Sequence, residues 1–276
     1  MENKEQIKEY KESYFLSAGE TGPEGEISQT LLVSKLIDIA TAHANSLGIG
    51  NPDMPSPSLG WVLSRLTVEM EQYPKVNENY SITTWVESWN RHFSERAFCI
   101  EDAEGKPLGY ARSIWMVLDT RTRANGGLDS LNLSPECISS RECPIARQSK
   151  HRLLYASGEV APSATAVPAD NTGCYTFRYC DLDAYRHVNT VRYIALLMNQ
   201  FTLAEHDAMR VSRFEISFLH EGAYGMSVDI MRSPIPGADN KSRGWAFMLR
   251  NKAGNLPIIY FRVFMHPRNT ASECKS

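Results

Sequence analysis

The sequence predicts an α+β fold built twice over, each copy a long helix followed by an antiparallel β-sheet. Three observations carry that prediction. A segment with apolar residues at helical spacing precedes a set of alternating or apolar runs, and the same order recurs in the second half of the chain. In addition, Ser64-Arg65-Leu66-Thr67-Val68 resembles Ser212-Arg213-Phe214-Glu215-Ile216 at an offset of 148 (212 − 64), which also carries Tyr80-Ser81-Ile82 onto Val228-Asp229-Ile230 without a gap. Self-similarity at a fixed offset marks a repeated structural unit.

Residues 31–47 place Leu32, Leu36, Ile39, Ala40 and His43 on one stripe of a 3.6-residue period, which predicts the first helix. Residues 188–204 repeat the theme with Val191, Ile194, Ala195 and Met198, and predict the second. Strands are expected over 66–70, 80–86, 96–100 and 112–118, and again over 214–218, 227–231, 245–249 and 258–265. These stretches are rich in the aromatic and β-branched residues that strands favour. Glu101-Asp102-Ala103-Glu104-Gly105 and Asn251-Lys252-Ala253-Gly254 read as the hairpin turns between the last two strands of each set. The region around Gly126-Gly127, Pro135, Pro144 and Pro162 breaks the pattern. The expected division is therefore a domain over 1–130, a linker with short helical pieces over 131–167, and a second domain over 168–276.

Composition narrows the classes of function. The chain has 276 residues, of which 42% are hydrophobic and 22% charged, a mix that excludes wholesale disorder. Lys and Arg number 29 against 32 Asp and Glu, for a formal net charge of −3, so no global field holds nucleic acid or an anionic membrane. No apolar run approaches the ~18–20 residues of a membrane span. Met1-Glu2-Asn3-Lys4-Glu5 lacks the features of a signal peptide, and the six cysteines show no CxxC, so reduced thiols and a cytoplasmic location are expected. The two C-x5-C spacings lack a second ligand pair, so no metal site is expected. Gly19-Glu20-Thr21-Gly22 and Gly126-Gly127 lack the strand–glycine–helix context of a phosphate loop.

Particular strings sharpen the reading. In the first half these are Trp61-Val62-Leu63-Ser64-Arg65-Leu66, Val68-Glu69-Met70, Tyr73-Pro74, Thr84-Trp85-Val86, and Ser113-Ile114-Trp115-Met116 followed by Thr120-Arg121-Thr122-Arg123. In the second half they are Asp181-Leu182-Asp183-Ala184-Tyr185-Arg186-His187-Val188-Asn189 and Tyr193-Ile194. In this order, from Tyr14 to Met265, the chain resembles the acyl-ACP thioesterases. The resemblance implies two tandem hot-dog domains, each a long helix wrapped by an antiparallel sheet. It also implies hydrolysis of the thioester between a fatty acyl chain and acyl carrier protein, releasing free fatty acid and ending elongation. Such a hydrolase uses side chains and water and needs no cofactor. A fused pair is already a pseudo-dimer, and a homodimer of two chains is compatible with it.

The family's catalytic residues carry over as Asp183 and His187 from the signature and Glu221 from Phe218-Leu219-His220-Glu221. Glu221 and His187 are suitable activators of water, with Asp183 orienting the imidazole. Backbone N–H groups where the helix starts near Val188 are candidates for holding the oxyanion. Asn189 is a helix cap or backbone clamp and a weaker site residue. The loop Gly25-Glu26-Ile27-Ser28-Gln29 has no histidine, and Glu221 minus the offset falls on Tyr73, so the acid–base set exists in one half only. Two departures from the family stand out: Tyr185 replaces the asparagine usual two residues before the histidine, so its phenol must substitute, and Gly222 follows the glutamate where many plant members carry cysteine. Attack by activated water is therefore expected, with Cys180 a buried structural thiol.

Leu32, Leu36, Ile39, Trp61, Leu66, Trp85 and Trp115 are candidates to line an apolar acyl slot in the first domain, with ordinary core packing as the competing role. Acyl carrier protein is acidic, so Arg141, Arg147, Lys150 and Arg152, or Arg121 and Arg123, are candidate docking cations. Competing readings are an acyl-CoA thioesterase of the hot-dog class, a hot-dog dehydratase, which the second-half signature disfavours, and a non-catalytic acyl-binding module.

Overall fold

The structure, a computed structural model, describes residues 8–129, 131, 133–148, 152–156, 158–237 and 239–268. The chain divides into two compact units, Met1–Gln148 and Ser149–Ser276. In the first, strand β1 (Glu9–Phe15) precedes helix α1 (Gln29–Ser46) and strands β2 (Leu59–Met70), β3 (Asn79–Trp89), β4 (Ser94–Asp102) and β5 (Pro107–Asp119). All pairings are antiparallel in the order β1-β3-β4-β5-β2. The second unit holds β6 (Leu154–Ala156), β7 (Val167–Thr176), helices α2 (Thr190–Met198) and α3 (Leu203–Ala208), then β8 (Met209–Phe218), β9 (Ser227–Ile235), β10 (Arg243–Asn251) and β11 (Leu256–Pro267). Its strands run β6-β7-β9-β10-β11-β8, antiparallel except for the short β6–β7 pair. The α+β class with antiparallel sheets and few helices is as expected.

Every strand expected from sequence is present, each longer than its apolar core. The repeat holds in register: Thr67 lies opposite Arg112 on the neighbouring strand, and Glu215 lies opposite Arg262. The first helix forms because Ser28 caps it, accepting Leu31 N–H on its hydroxyl, and because Leu32, Val33, Leu36, Ile39, Ala40, His43 and Ala44 bury one face. Burying each large aliphatic side chain contributes about 1.5–3 kcal/mol.

The second helix corrects the sequence reading. Residues 188–204 are not one long helix: α2 has 9 residues, Asn199 closes it, and α3 starts afresh after Thr202. A capping box causes the restart, with Glu205 N–H on Thr202 Oγ1 at 3.2 Å and Thr202 N–H on Glu205 Oε2 at 2.7 Å. The linker region also carries structure, a 3-10 turn at Pro135–Cys137 and strand β6.

The faces of the sheets away from the helices are covered by this same linker. Trp85, Ala97 and Cys99 pack with Cys143 and Ile145 in the first unit. Ala169, Met231, Ala246, Met248 and Tyr260 pack with Leu154 in the second. Trp85 is thus fully buried against the linker, and its Nε1–H donates to Arg141 O at 2.7 Å. Trp61 joins another cluster, with Val117, Leu128 and Leu131. Trp85 does not share the helix-facing interior with Leu32, Leu36 and Ile39, because its neighbour Thr84 sits with Arg96 on the side of His43 and alternation along the strand sends Trp85 to the opposite face. Leu66 is buried, and Trp115 is half-buried with its Nε1–H on Ser113 Oγ at 2.7 Å. Among the described residues, no helix is long and apolar enough to cross a membrane.

Candidate active site

The residues singled out in the second half converge on one loop and the turn facing it. A 3-10 turn at Tyr179–Asp181 leads into the loop, and Asp181 anchors it by accepting Arg178 N–H at 2.7 Å and the Tyr175 hydroxyl at 3.0 Å. The loop doubles back on itself. Asp183 N–H donates to His187 O at 2.8 Å, and Arg186 N–H donates to Asp183 O at 3.0 Å. Arg186 has a φ of 66°, the left-handed conformation that a side chain adopts only at a cost, and this turns the chain back toward His187. Val188 N–H then donates to Gly222 O at 3.0 Å, which brings the histidine beside the segment carrying Glu221.

His187 Nε2 and Glu221 Oε2 lie 3.5 Å apart, each side chain a little over a third exposed. An imidazole and a carboxylate at this separation, half in solvent, form a unit able to accept a proton from water. Asp183 serves the loop. Its Oδ1 accepts Tyr185 N–H at 2.8 Å and His187 N–H at 3.1 Å, so it fixes the histidine through the main chain. Asn189 caps α2, accepting Val191 N–H on Oδ1 at 3.1 Å. Tyr185 is 70% exposed.

One expectation needs correction, that Cys180 is buried, and two others are narrowed. The N–H of Val188 is taken by Gly222 O, and that of Asn189 by Asp181 O at 2.8 Å, so neither is available to an oxyanion. Cys180 is exposed on its 3-10 turn, as is Cys174, whereas Cys99, Cys137 and Cys143 are buried. Of the candidate docking cations, Arg141 pairs with Glu9 at 3.2 Å and Arg147 with Glu95 at 2.7 Å. Arg121, Arg123 and Arg152 are exposed, and Lys150 lies outside the described residues, as does Cys274.

One residue of the site was quoted in the sequence signature without a role. Tyr193, on the buried face of α2, accepts Gly222 N–H on its hydroxyl at 2.9 Å, directly beside Glu221. Burial, with the nearby Glu221 and Asp183 carboxylates, raises its phenol well above the usual range, so it stays protonated. Phe177 and Phe218 pack edge-on against its ring, at 5.5 and 6.2 Å between centroids. A Cβ at position 222 would run into the Tyr193 hydroxyl and come within 2.9 Å of Val188 Cγ2. Gly222 is therefore required by close approach, and a cysteine does not fit there. Among the described residues, no group of three or more His, Cys, Asp or Glu side chains is placed to hold a metal ion.

The description of the acyl-ACP thioesterase N-terminal domain matches residues 7–126, and that of the C-terminal domain matches residues 165–258. The chain is 21% identical over 273 residues to a chloroplastic acyl-[acyl-carrier-protein] hydrolase of Cuphea viscosissima, covering 95% of this chain and 64% of that protein. It is 23% identical over 219 residues to the chloroplastic palmitoyl-acyl carrier protein thioesterase of Gossypium hirsutum, covering 77% of this chain and 52% of that one. The chain thus spans between half and two thirds of the length of these relatives. Its fold matches an acyl-ACP thioesterase from Bacteroides thetaiotaomicron with a TM-score of 0.78 and 25% identity, over 94% of this chain and 98% of that one. It also matches the 12:0-ACP thioesterase from Umbellularia californica with a TM-score of 0.74 and 19% identity, over 94% of each chain. With both domains of the family matched in order over most of its length, the chain belongs to the acyl-ACP thioesterase family.

Proposed function

We propose that the chain hydrolyses the thioester of a fatty acyl chain on acyl carrier protein, with the chemistry in the second unit. The observation that carries this reading is the His187–Glu221 pair, 3.5 Å apart, on a loop held by Asp183 within the matched C-terminal domain. The pair takes a proton from a water molecule whose oxygen attacks the thioester carbonyl carbon. The resulting oxyanion collapses, the carbon–sulfur bond breaks, and the carrier's thiolate leaves with the proton the pair holds. Thr190, the first residue of α2, sits at the positive end of the helix dipole, and its N–H is the donor we assign to the oxyanion. Tyr193 positions Glu221 through the Gly222 backbone. No cofactor enters this scheme.

We read each unit as a hot-dog domain, with 1–130 binding the acyl chain, 131–167 linking, and 168–276 catalytic. Leu32, Leu36 and Ile39, together on the buried face of α1, are the pocket candidates that share one surface. The exposed Arg121, Arg123 and Arg152 are the cations we assign to the acidic carrier.

The test is release of free fatty acid from a panel of acyl-ACPs, with the corresponding acyl-CoAs alongside. Release from acyl-ACP by the wild type and its loss in His187→Ala support the proposal, and faster turnover of acyl-CoA redirects the substrate assignment. Bound acyl chains with no release from any substrate overturn it in favour of a binding module.

A further inference from the structure

The two units differ at one strand position in a way that leaves positive charge without a counter-ion. In the second unit Glu215 is almost fully buried and serves two arginines: Arg213 Nη2 donates to its Oε1 at 2.8 Å, and Arg262 Nε donates to its Oε2 at 3.0 Å. The first unit repeats both arginines, as Arg65 and Arg112, in the same cross-strand register, but Thr67 stands where the glutamate does.

Arg112 has found other acceptors, pairing with Glu87 and donating to Ile145 O at 3.0 Å and Cys143 O at 2.8 Å. Arg65 has no carboxylate partner among the described residues. Beside it is a cavity of about 210 Å³, lined by Arg65, Thr67, Arg96, Arg112 and Arg147 with Glu87 and Glu95. Both glutamates are already in ion pairs, Glu87 with Arg112 and Glu95 with Arg147. Arg96 is only 5% exposed, and its Nη1 donates to His43 Nδ1 at 2.8 Å and Thr84 Oγ1 at 3.3 Å, neither of them charge-neutralising when the imidazole accepts. Burial pushes the Arg96 guanidinium down to about 10, so it remains protonated at neutral pH. The Arg96 guanidinium is thus turned to the helix side of the sheet, and Arg65 is the guanidinium that meets this cavity without a carboxylate partner among the described residues. Arg65 is half-buried, and an anion supplied from solution gives its guanidinium the partner that Glu215 gives Arg213.

We propose that this cavity binds a small oxyanion, a carboxylate or a phosphate group, held by Arg65 and the Thr67 hydroxyl in the place that the Glu215 carboxylate fills in the second unit. A water molecule takes about 30 Å³, so the cavity accommodates such a group with several waters around it. The inference does not rest on the thioesterase reading, because the cavity contains none of the residues placed in the candidate active site.

Thermal unfolding of the full chain tests it, with inorganic phosphate and acetate as separate probes at constant ionic strength set by sodium chloride. The expected result is a rise in Tm of about 5 °C with at least one probe at concentrations far above its Kd. A response to phosphate alone assigns a phosphate-bearing ligand, and a response to acetate a carboxylate. Arg65→Gln is expected to lose the response. Thr67→Glu, which rebuilds the arrangement of the second unit, is expected to unfold at a higher temperature without added anion and no longer to respond. The proposal is overturned if neither probe shifts the wild-type Tm beyond chloride, or if a folded Thr67→Glu responds as the wild type does.

Discussion

In the second unit Val188 N–H donates to Gly222 O at 3.0 Å, and in the first Ile27 N–H donates to Pro74 O at 2.9 Å. The match extends along the whole loop. Asp183 N–H to His187 O and Arg186 N–H to Asp183 O are repeated as Gly22 N–H to Glu26 O and Gly25 N–H to Gly22 O. Arg186 turns with a φ of 66° and Gly25 with a φ of 69°. Asn189 caps one helix and Ser28 the other. The backbone is the same, but the side chains are not. Glu26 stands at the histidine's position, Gly22 at that of Asp183, and Tyr73 at that of Glu221. Even the buried contact behind the site is exchanged: Leu32 replaces Tyr193, and Pro74, which has no N–H, replaces Gly222. The two copies therefore share a hydrogen-bonded loop, while the His–Glu pair stands in one of them. Backbone bonds hold the loop, so the side chains on it are free to differ.

The largest effect that sharpens this contrast is expected from Glu221→Gln. It keeps shape and removes the charge 3.5 Å from His187, and kcat is expected to fall about 10²–10⁴-fold in steady-state assays of fatty acid release. A single-turnover reaction in ¹⁸O-labelled water, run with the wild type, is expected to place the label in the first fatty acid released. Label missing from that product points to attack by the Glu221 carboxylate instead.

Tyr193→Phe comes next. It strips the acceptor from a buried Gly222 N–H, for an expected loss of about 1–3 kcal/mol in denaturant unfolding, together with a lower kcat. The caps follow: Asn189→Ala and Ser28→Ala should each lose about 1 kcal/mol, but only the first should also slow turnover. The smallest effect belongs to Tyr185→Phe. With 70% of the residue in solvent, stability is expected to stay within about 0.5 kcal/mol of wild type by the same measurement.

Much of this was legible in the sequence, and the exceptions have physical causes. Strands with apolar runs were found because burial writes a period of two into them. Strand β7, Val-Pro-Ala-Asp-Asn-Thr-Gly-Cys-Tyr-Thr, was not found, because its Pro, Asp, Asn and Gly are poor strand formers and pairing with β9 overrides them. Strand β1 alternates exposed and half-buried residues without an apolar core, so no run marked it. The break in the second helix was readable in principle, since Thr202 and Glu205 stand at capping-box spacing, but the apolar period runs on past it. In the candidate site, His187, Glu221 and Asp183 stand in strings legible as motifs, and the difference between the halves is legible in the internal repeat. Which acceptor Val188 N–H takes, and that Tyr193 reaches Gly222, depend on contacts far apart in sequence, which no local pattern encodes.

The asymmetry of the two loops is tested most directly by substituting the corresponding residues alike, His187→Gln and Glu26→Gln, and measuring kcat on the same acyl-ACP for each folded variant. The account predicts that His187→Gln loses about 10²–10⁴-fold while Glu26→Gln stays within about twofold of wild type. Equal losses in the two variants, or a loss confined to Glu26→Gln, would contradict it.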